Sequence, residues 1–265
     1  MLKKCFKYEL FKMLKFLSIF FGLAVFFSCL SRGISSVGDS FVITFFAAFT
    51  QGAAISMMFS ILINCFMRTW AEFRTSFYSD QSYLTHTLPV EKKTLYLSKV
   101  INAAIFVFVS ILVILACIAI LFLNKDVWEF LKAFLEPIAQ YFHMNLWVML
   151  GGFLLLIYLE LMSGMASGFF GLVLGHRRLT HKILFSVLFG FLFYLLGEWI
   201  LVVVMFGVGF MDPSFMEIFK TNDLFALDSG AAVTLAVLSL VVYFLFSVSG
   251  FILGYHFFKK GVNVD

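Results

Sequence analysis

The sequence predicts an all-α integral membrane protein with six transmembrane helices. Hydrophobic residues occupy 62% of the 265 positions, the mean hydropathy is +1.02, and only 13% of the residues are charged. Soluble domains are about 45–50% apolar, so this composition excludes an ordinary soluble fold. The hydrophobic residues concentrate in six apolar runs, and a run of about 20 apolar residues is long enough to cross a bilayer core. The chain holds only 3 prolines, which favours uninterrupted helices.

The predicted spans fill the chain as a single transmembrane domain. They cover residues 16–30, 41–66, 97–122, 146–174, 183–210 and 231–258. Before the first span, Phe6, Leu10 and Met13 recur at helical spacing on one face, with lysines on the opposite face. This pattern predicts an amphipathic interfacial helix over residues 1–15. A basic flank that only sets topology would explain the lysines but not the apolar stripe.

The basic residues predict the orientation of the six spans. Fifteen of the 19 Lys and Arg residues fall on one side and four on the other. Because such residues concentrate in cytoplasmic loops, both termini are expected in the cytoplasm. The net charge of +4 reflects this bias, so no nucleic-acid partner is expected. The outer loops, residues 31–40, 124–145 and 211–230, are too short for a large outer domain.

The usual signatures of catalysis and metal binding are missing from the sequence. No Gly-x-x-x-x-Gly-Lys-Ser/Thr stretch occurs, which excludes a nucleotide-binding loop of that type. The five histidines are scattered, and the four cysteines share no metal-ligand spacing. We therefore expect neither a catalytic residue, nor a metal site, nor a cofactor bound by this chain.

One short stretch on the fourth span allows two interpretations. Gly164-Met165-Ala166-Ser167-Gly168, with His256 on the sixth span, is similar to an intramembrane serine protease, but Met165 stands where that family has a glycine. The other interpretation is structural. Small residues at this spacing let helices approach closely in lipid, either within the chain or across a dimer. The stripe comprises Gly164, Gly168, Gly171 and Gly175.

Two acidic residues, Glu160 and Glu198, fall near the midplane of the fourth and fifth predicted spans. Charges at that depth are expensive and are candidates for function by default. The two glutamates could line a substrate or proton path. Alternatively, each is neutral or hydrogen-bonded to a neighbour such as Tyr158 or Trp199. The sequence leaves both interpretations open.

The longest inner loop, residues 67–96, carries the most informative motif. It reads Tyr83-Leu84-Thr85-His86-Thr87-Leu88-Pro89-Val90 and continues through two lysines toward the third span. Pro89 fixes its own φ and biases Leu88 away from helix, so the loop offers a short rigid element. A solvated basic loop is the alternative, although Tyr83, Leu84 and Leu88 are unusual choices for solvation.

The Tyr-Leu-x-x-Thr-Leu-Pro-Val stretch, the basic pair after it and Ser98-Lys99 at the next span together resemble the inner loop of small bacterial type-2 ABC transporter permeases. The layout is also similar, with a basic amphipathic start, six spans, short outer loops and a basic loop after the fourth span. That basic loop contains Arg177 and Arg178.

The resemblance implies a permease subunit in the bacterial plasma membrane that pairs with an identical or related chain. Two separately encoded ATP-binding subunits would bind ATP and Mg and drive export of a peptide, antibiotic or lipid-like compound. The residues implied at the ATPase contact are Tyr83, Leu84, Thr87, Leu88 and Pro89, with Arg177 and Arg178 as a second contact. The alternative is a stand-alone proton- or ion-coupled transporter that uses Glu160 and Glu198.

Overall fold

The fold is described by a computed structural model that covers residues 2–38, 40–79, 82–87, 90–122, 124–178, 180–211, 215 and 229–260. Within these ranges the side chains of residues 2–5, 84–86 and 125–126 are not described. The described chain is helical apart from short connections, and no strand occurs in it.

Eight helices follow one another along the described chain. They are α1 (Leu2–Ser35), α2 (Phe41–Tyr78), α3 (Ser82–Thr87), α4 (Lys92–Phe122), α5 (Lys125–Tyr141), α6 (Leu146–Gly175), α7 (Lys182–Gly209) and α8 (Ser229–Lys259). Six of them, all except α3 and α5, are long and apolar enough to cross a membrane. The predicted class, an all-α protein with six candidate spans, is confirmed.

The first helix corrects one predicted boundary. The sequence predicts an interfacial helix over residues 1–15 and a separate span over residues 16–30. The structure joins both segments in α1, a single helix of 34 residues. No proline or glycine occurs in residues 2–21, so nothing near residues 15 and 16 ends the helix. The basic segment is therefore continuous with the helix of the first span, and its place at the membrane interface stays a prediction.

The second helix is longer than its apolar run. With 38 residues it extends about 57 Å, well beyond a hydrocarbon core of about 30 Å. Its last three turns occupy residues that the sequence assigns to the inner loop. Phe73 and Phe77 continue the helical spacing there and are fully buried, so packing rather than hydropathy sustains the helix.

The described residues divide into two units, those up to Trp128 and those from Glu129 onward. In the first unit α1 packs along both α2 and α4. A buried apolar core holds the three helices together at Ala24, Met58, Ile61 and Cys117. Near the α1–α2 connection, the Ser31 hydroxyl donates a hydrogen bond of 3.2 Å to the carbonyl oxygen of Ala47.

In the second unit α6 is central and packs against α7 and α8. Aromatic rings fill much of this interface. Phe193 stacks on Phe246 with centroids 4.7 Å apart, and its other neighbour, Phe170, lies at 4.2 Å. Gly250 of α8 approaches Ala166 of α6 so closely that an added Cβ would lie 3.1 Å from the Ala166 Cβ.

The segment between α4 and α6 contains a helix that the sequence analysis does not predict. The sequence assigns residues 124–145 to an outer loop, whereas the structure forms α5 over Lys125–Tyr141. Charged and apolar residues of this helix are interspersed along the sequence, so no continuous apolar run marks it. A helical face, not an apolar run, was the available signal.

Candidate functional site

The connection between α2 and α4 contains α3, a helix of only six residues. Tyr83 is 67% exposed and Thr87 is also exposed. These two residues are four positions apart, so they lie on the same side of the helix. Ser82, at the start of α3, is fully buried, and its amide donates a hydrogen bond of 2.7 Å to the Ser79 carbonyl. Thus α3 is buried where it begins, at Ser82, and exposed on the side that carries Tyr83 and Thr87.

An aromatic cluster of Phe73, Phe77, Tyr78 and Tyr96 is buried at the end of α2 and the start of α4. The Phe73 ring lies 4.9 Å from Phe77, 5.8 Å from Tyr96 and 6.4 Å from Tyr78, measured between centroids. The first two pairs are edge-to-face, an arrangement worth about 0.5–1.5 kcal/mol beyond burial. The cluster ties the helices on either side of α3 to each other.

The other predicted contact residues of this loop are only partly described. Leu84 lies within α3, but its side chain is not described. Leu88 and Pro89 lie outside the described residues. A short helical element is present where the sequence predicts a rigid one, and its contact with an ATPase stays a prediction.

A buried ion cluster lies within the first unit and was missed at the sequence level. Its centre is Lys99 of α4, which is only 6% exposed. The Lys99 Nζ atom lies 3.0 Å from Glu9 Oε1 and 3.9 Å from Glu72 Oε1, and it donates a hydrogen bond of 2.7 Å to Ser76 Oγ. These partners belong to α1 and α2, so one lysine links all three long helices of the unit.

The two carboxylates of the ion cluster have further partners. Glu72 accepts a hydrogen bond of 2.7 Å from Lys12 Nζ and lies 4.0 Å from Arg68. Glu9 accepts a hydrogen bond of 3.1 Å from Asn102 Nδ2. Such charges are tolerated at low exposure because each one faces an opposite charge or a hydrogen-bond donor. The ion cluster comprises Glu9, Lys12, Arg68, Glu72, Ser76, Lys99 and Asn102.

The basic residues that the sequence proposes as a second contact lie between α6 and α7. Arg177 and Arg178 are exposed, yet neither guanidinium extends freely into solvent. The Arg177 guanidinium lies 5.6 Å from the Phe257 ring, and that of Arg178 lies 5.4 Å from Phe185. Cation–π contacts at exposed sites contribute about 0.5–1 kcal/mol and give both side chains a preferred position.

The two intramembrane acids meet in one polar group within the second unit. Glu160 and Glu198 are half-buried and close enough for their charges to interact. The Tyr243 hydroxyl donates a hydrogen bond of 3.3 Å to Glu198 Oε2, and Tyr194 also bonds to Glu198. Both tyrosines come from the helices packed beside α6. We call Glu160, Tyr194, Glu198 and Tyr243 the acid–tyrosine group.

The sequence did not identify these tyrosines as partners. It names Trp199 as a neighbour able to bond to an acid, but Trp199 is 68% exposed. The partner Tyr243 lies 45 positions from Glu198, so only the packing of α7 against α8 brings the pair together. The group has the side chains to hold a proton or a cation, and equally to satisfy two buried acids.

The glycine stripe of α6 lies against α7. An added Cβ at Gly171 would come within 2.6 Å of the Gly190 Cα, and one at Gly175 would clash with the backbone of Ser186. Gly168 is also close, since a Cβ built on Gly190 would lie 3.8 Å from its Cα. Gly164 is half-buried. Close approach of two backbones is what small residues permit in lipid.

The protease interpretation gains no support from the geometry. The Ser167 hydroxyl is buried and donates a hydrogen bond of 2.8 Å to the Ser163 carbonyl, and no hydrogen bond joins it to the exposed His256.

Within the described part of the chain, no group of three His, Cys, Asp or Glu side chains could hold a metal ion. Comparison of the chain with protein-family models, curated proteins and solved structures finds no match.

Proposed function

We propose that this chain is the membrane-spanning permease subunit of an ATP-driven exporter, energised by separate ATP-binding subunits. The six candidate spans make it a membrane protein with little chain left for an extramembrane domain. The observation that carries the proposal is the anchoring of α3. Its exposed side carries Tyr83 and Thr87, and its first residue, Ser82, is bonded to the end of α2. The α2 helix is in turn linked to α1 and α4 through Lys99.

The anchoring supplies a mechanical route from a cytoplasmic partner into the membrane. A partner that moves α3 must also move the end of α2, because the Ser82 amide donates a hydrogen bond to the Ser79 carbonyl and α3 packs against α2. Close-packed, low-exposure groups transmit displacement because they have no free volume in which to absorb it. The ion cluster then links α2 to α1 and α4.

The partners and cargo follow from the same proposal. Two ATP-binding subunits bind ATP and Mg, and a second permease chain, identical or related, completes the pathway. Alternating access exposes the pathway first to one side and then to the other as the partners bind and release nucleotide. The cargo class is an amphipathic peptide, antibiotic or lipid-like compound, and the location is the bacterial plasma membrane with both termini in the cytoplasm.

A photo-crosslinking experiment tests the contact directly. A benzophenone amino acid is placed at Tyr83 in the full chain, expressed in its native host, and the adducts are identified by mass spectrometry. The matched control position is Val37, which is 75% exposed and lies at the α1–α2 connection, the opposite end of α2. We expect an adduct with an ATP-binding protein at position 83 and none at position 37.

Two results would count against the proposal. Equal adducts at both positions would mean that the probe reports abundance rather than contact. Adducts at position 83 with lipid or water only, in cells that express the chain and its neighbours normally, would mean that α3 meets no motor protein.

The acid–tyrosine group favours a second candidate function, a stand-alone proton- or ion-coupled transporter. Acids within spanning helices mark proton relays as well as packing, and here Glu198 accepts a hydrogen bond from the Tyr243 hydroxyl with Glu160 nearby. The test is proton flux through the purified single chain in liposomes, with Glu160→Gln and Glu198→Gln variants. Proton flux through the unaltered chain that is lost in both variants would favour this function over the ATP-driven one. No flux through the unaltered chain would rule this function out.

A further inference from the structure

The helix α5 has two chemically distinct sides. Glu129, Lys132, Glu136 and Gln140 follow one another at spacings of three and four residues and form a polar side. An apolar side opposite them comprises Val127, Phe130, Leu131, Phe134, Leu135, Ile138 and Tyr141. Three- and four-residue spacing places each set on one side of a helix.

Exposure divides the apolar side into two strips. Leu131, Leu135 and Ile138 are half-buried. Phe130 and Phe134, one turn apart, remain 69% and 60% exposed. Two large aromatic side chains side by side at this exposure form an apolar patch, and such patches mark surfaces that contact a membrane or another protein.

The length and tethering of α5 indicate which of these two the strip contacts. Its 17 residues extend about 25 Å and carry a charged side, so α5 does not cross a core of about 30 Å. Three residue steps from Phe122, the end of α4, to Lys125 reach about 11 Å at most. Residues 142–145 connect the other end to α6. Both neighbours are candidate spans, so both ends of α5 are held at a membrane surface.

The exposed apolar strip continues into the next span. Trp147 and Val148, in the first turn of α6, are 65% and 62% exposed. In a helix that crosses a bilayer, such residues face lipid, and tryptophan is enriched at the headgroup level. A lipid-facing surface therefore resumes directly after the short connection that follows α5.

We propose that α5 lies flat in the interfacial layer of the bilayer, with Phe130 and Phe134 inserted among the lipid chains. The charges of the polar side, Glu129, Lys132 and Glu136, sum to a net negative value, so this side has no excess of positive charge with which to attract anionic headgroups. Apolar insertion alone holds α5, which distinguishes it from a basic membrane-binding helix. This inference is independent of the proposed function.

The test measures the depth of individual positions in the full chain. Cysteine is introduced singly at Phe130, Phe134, Glu129 or Gln140 in a background with Cys5→Ser and Cys29→Ser, leaving Cys65 and Cys117, which are fully buried. Each variant is labelled with a nitroxide and reconstituted into phosphatidylcholine vesicles. Collision rates with oxygen, which enters lipid, and with a water-soluble nickel chelate are compared, and the background without an added cysteine corrects for residual labelling.

We expect a several-fold higher ratio of oxygen to nickel accessibility at positions 130 and 134 than at positions 129 and 140. The ratios should not change when anionic lipid is added. Equal ratios at all four positions would overturn the proposal, because α5 would then lie in water. Strong spin–spin coupling between labels at position 130, lost on dilution with unlabelled protein, would also overturn it, because a second copy of the chain would then cover the strip.

Discussion

Replacement of Lys99 by methionine tests the ion cluster that links α1, α2 and α4. Methionine keeps the unbranched shape of the side chain but removes the cation that lies between Glu9 and Glu72. Among the described side chains, Glu72 retains Lys12 at 2.7 Å, whereas Glu9 retains hydrogen bonds from Asn102 and Ser98, at 3.1 and 3.5 Å, and no cation. Glu9 is therefore the residue left without a compensating charge.

The size of the effect follows from burial. Removing one partner from a buried ion pair costs about 3–5 kcal/mol, because the remaining charge stays out of water. The Glu9 side chain is 15% exposed and can turn partly toward solvent, so we expect the lower end, about 3 kcal/mol. Adding Glu9→Gln to Lys99→Met removes the uncompensated charge, so the double variant should be more stable than Lys99→Met alone.

The assay is unfolding of the purified chain in mixed micelles titrated with sodium dodecyl sulfate, followed by tryptophan fluorescence. The matched control is Lys15→Met, since Lys15 is exposed on α1 and a surface change of this kind alters stability by less than about 0.5 kcal/mol. A loss in Lys99→Met no greater than that in Lys15→Met would refute the ion cluster as a stabilising link and remove one step of the mechanical route from α3.

Two further substitutions test the second unit. Gly171→Ala should lower the free energy of unfolding by about 1–3 kcal/mol, since the added Cβ meets the α7 backbone, whereas Gly152→Ala, which has no neighbour within 4 Å, should not; equal losses in the same titration would contradict the α6–α7 packing. Tyr243→Phe should cost about 0.6 kcal/mol, typical of a hydrogen bond in a membrane protein, and should shift the infrared carboxyl band of Glu198; an unchanged band would mean that the bond is absent.

Hydropathy and spacing predict the general plan because they act locally. The six apolar helices, the glycine stripe and the short element after α2 can all be read from consecutive residues. The helix ends are harder to predict. The α2 helix continues to Tyr78 because Phe73 and Phe77 are buried by packing, and a hydropathy average over consecutive residues does not show which residues are buried. The helix α5 is also not predicted, because its apolar residues form one side of a helix and no continuous run.

The polar clusters could not be predicted because they join distant parts of the chain. Lys99 and Glu9 meet only when α1 packs on α4, and Tyr243 meets Glu198 only when α7 packs on α8. From the sequence, Lys12 is a topology-setting lysine like its neighbours, and Lys99 is one half of the Ser98-Lys99 pair at the start of a span, so neither residue indicates a partner on another helix. The one local hint was Glu9, a lone acid within a basic segment, which indicates a partner that is not nearby in sequence.

The most direct test of the proposed permease function is to purify the tagged full chain gently from its native membrane and identify the accompanying proteins by mass spectrometry. We expect an ATP-binding subunit to copurify at near-equal stoichiometry. It should be lost when Leu84 and Leu88 are both replaced by Asp, although the variant still inserts into the membrane. A single chain that purifies stably without any ATP-binding partner would contradict the proposed permease function.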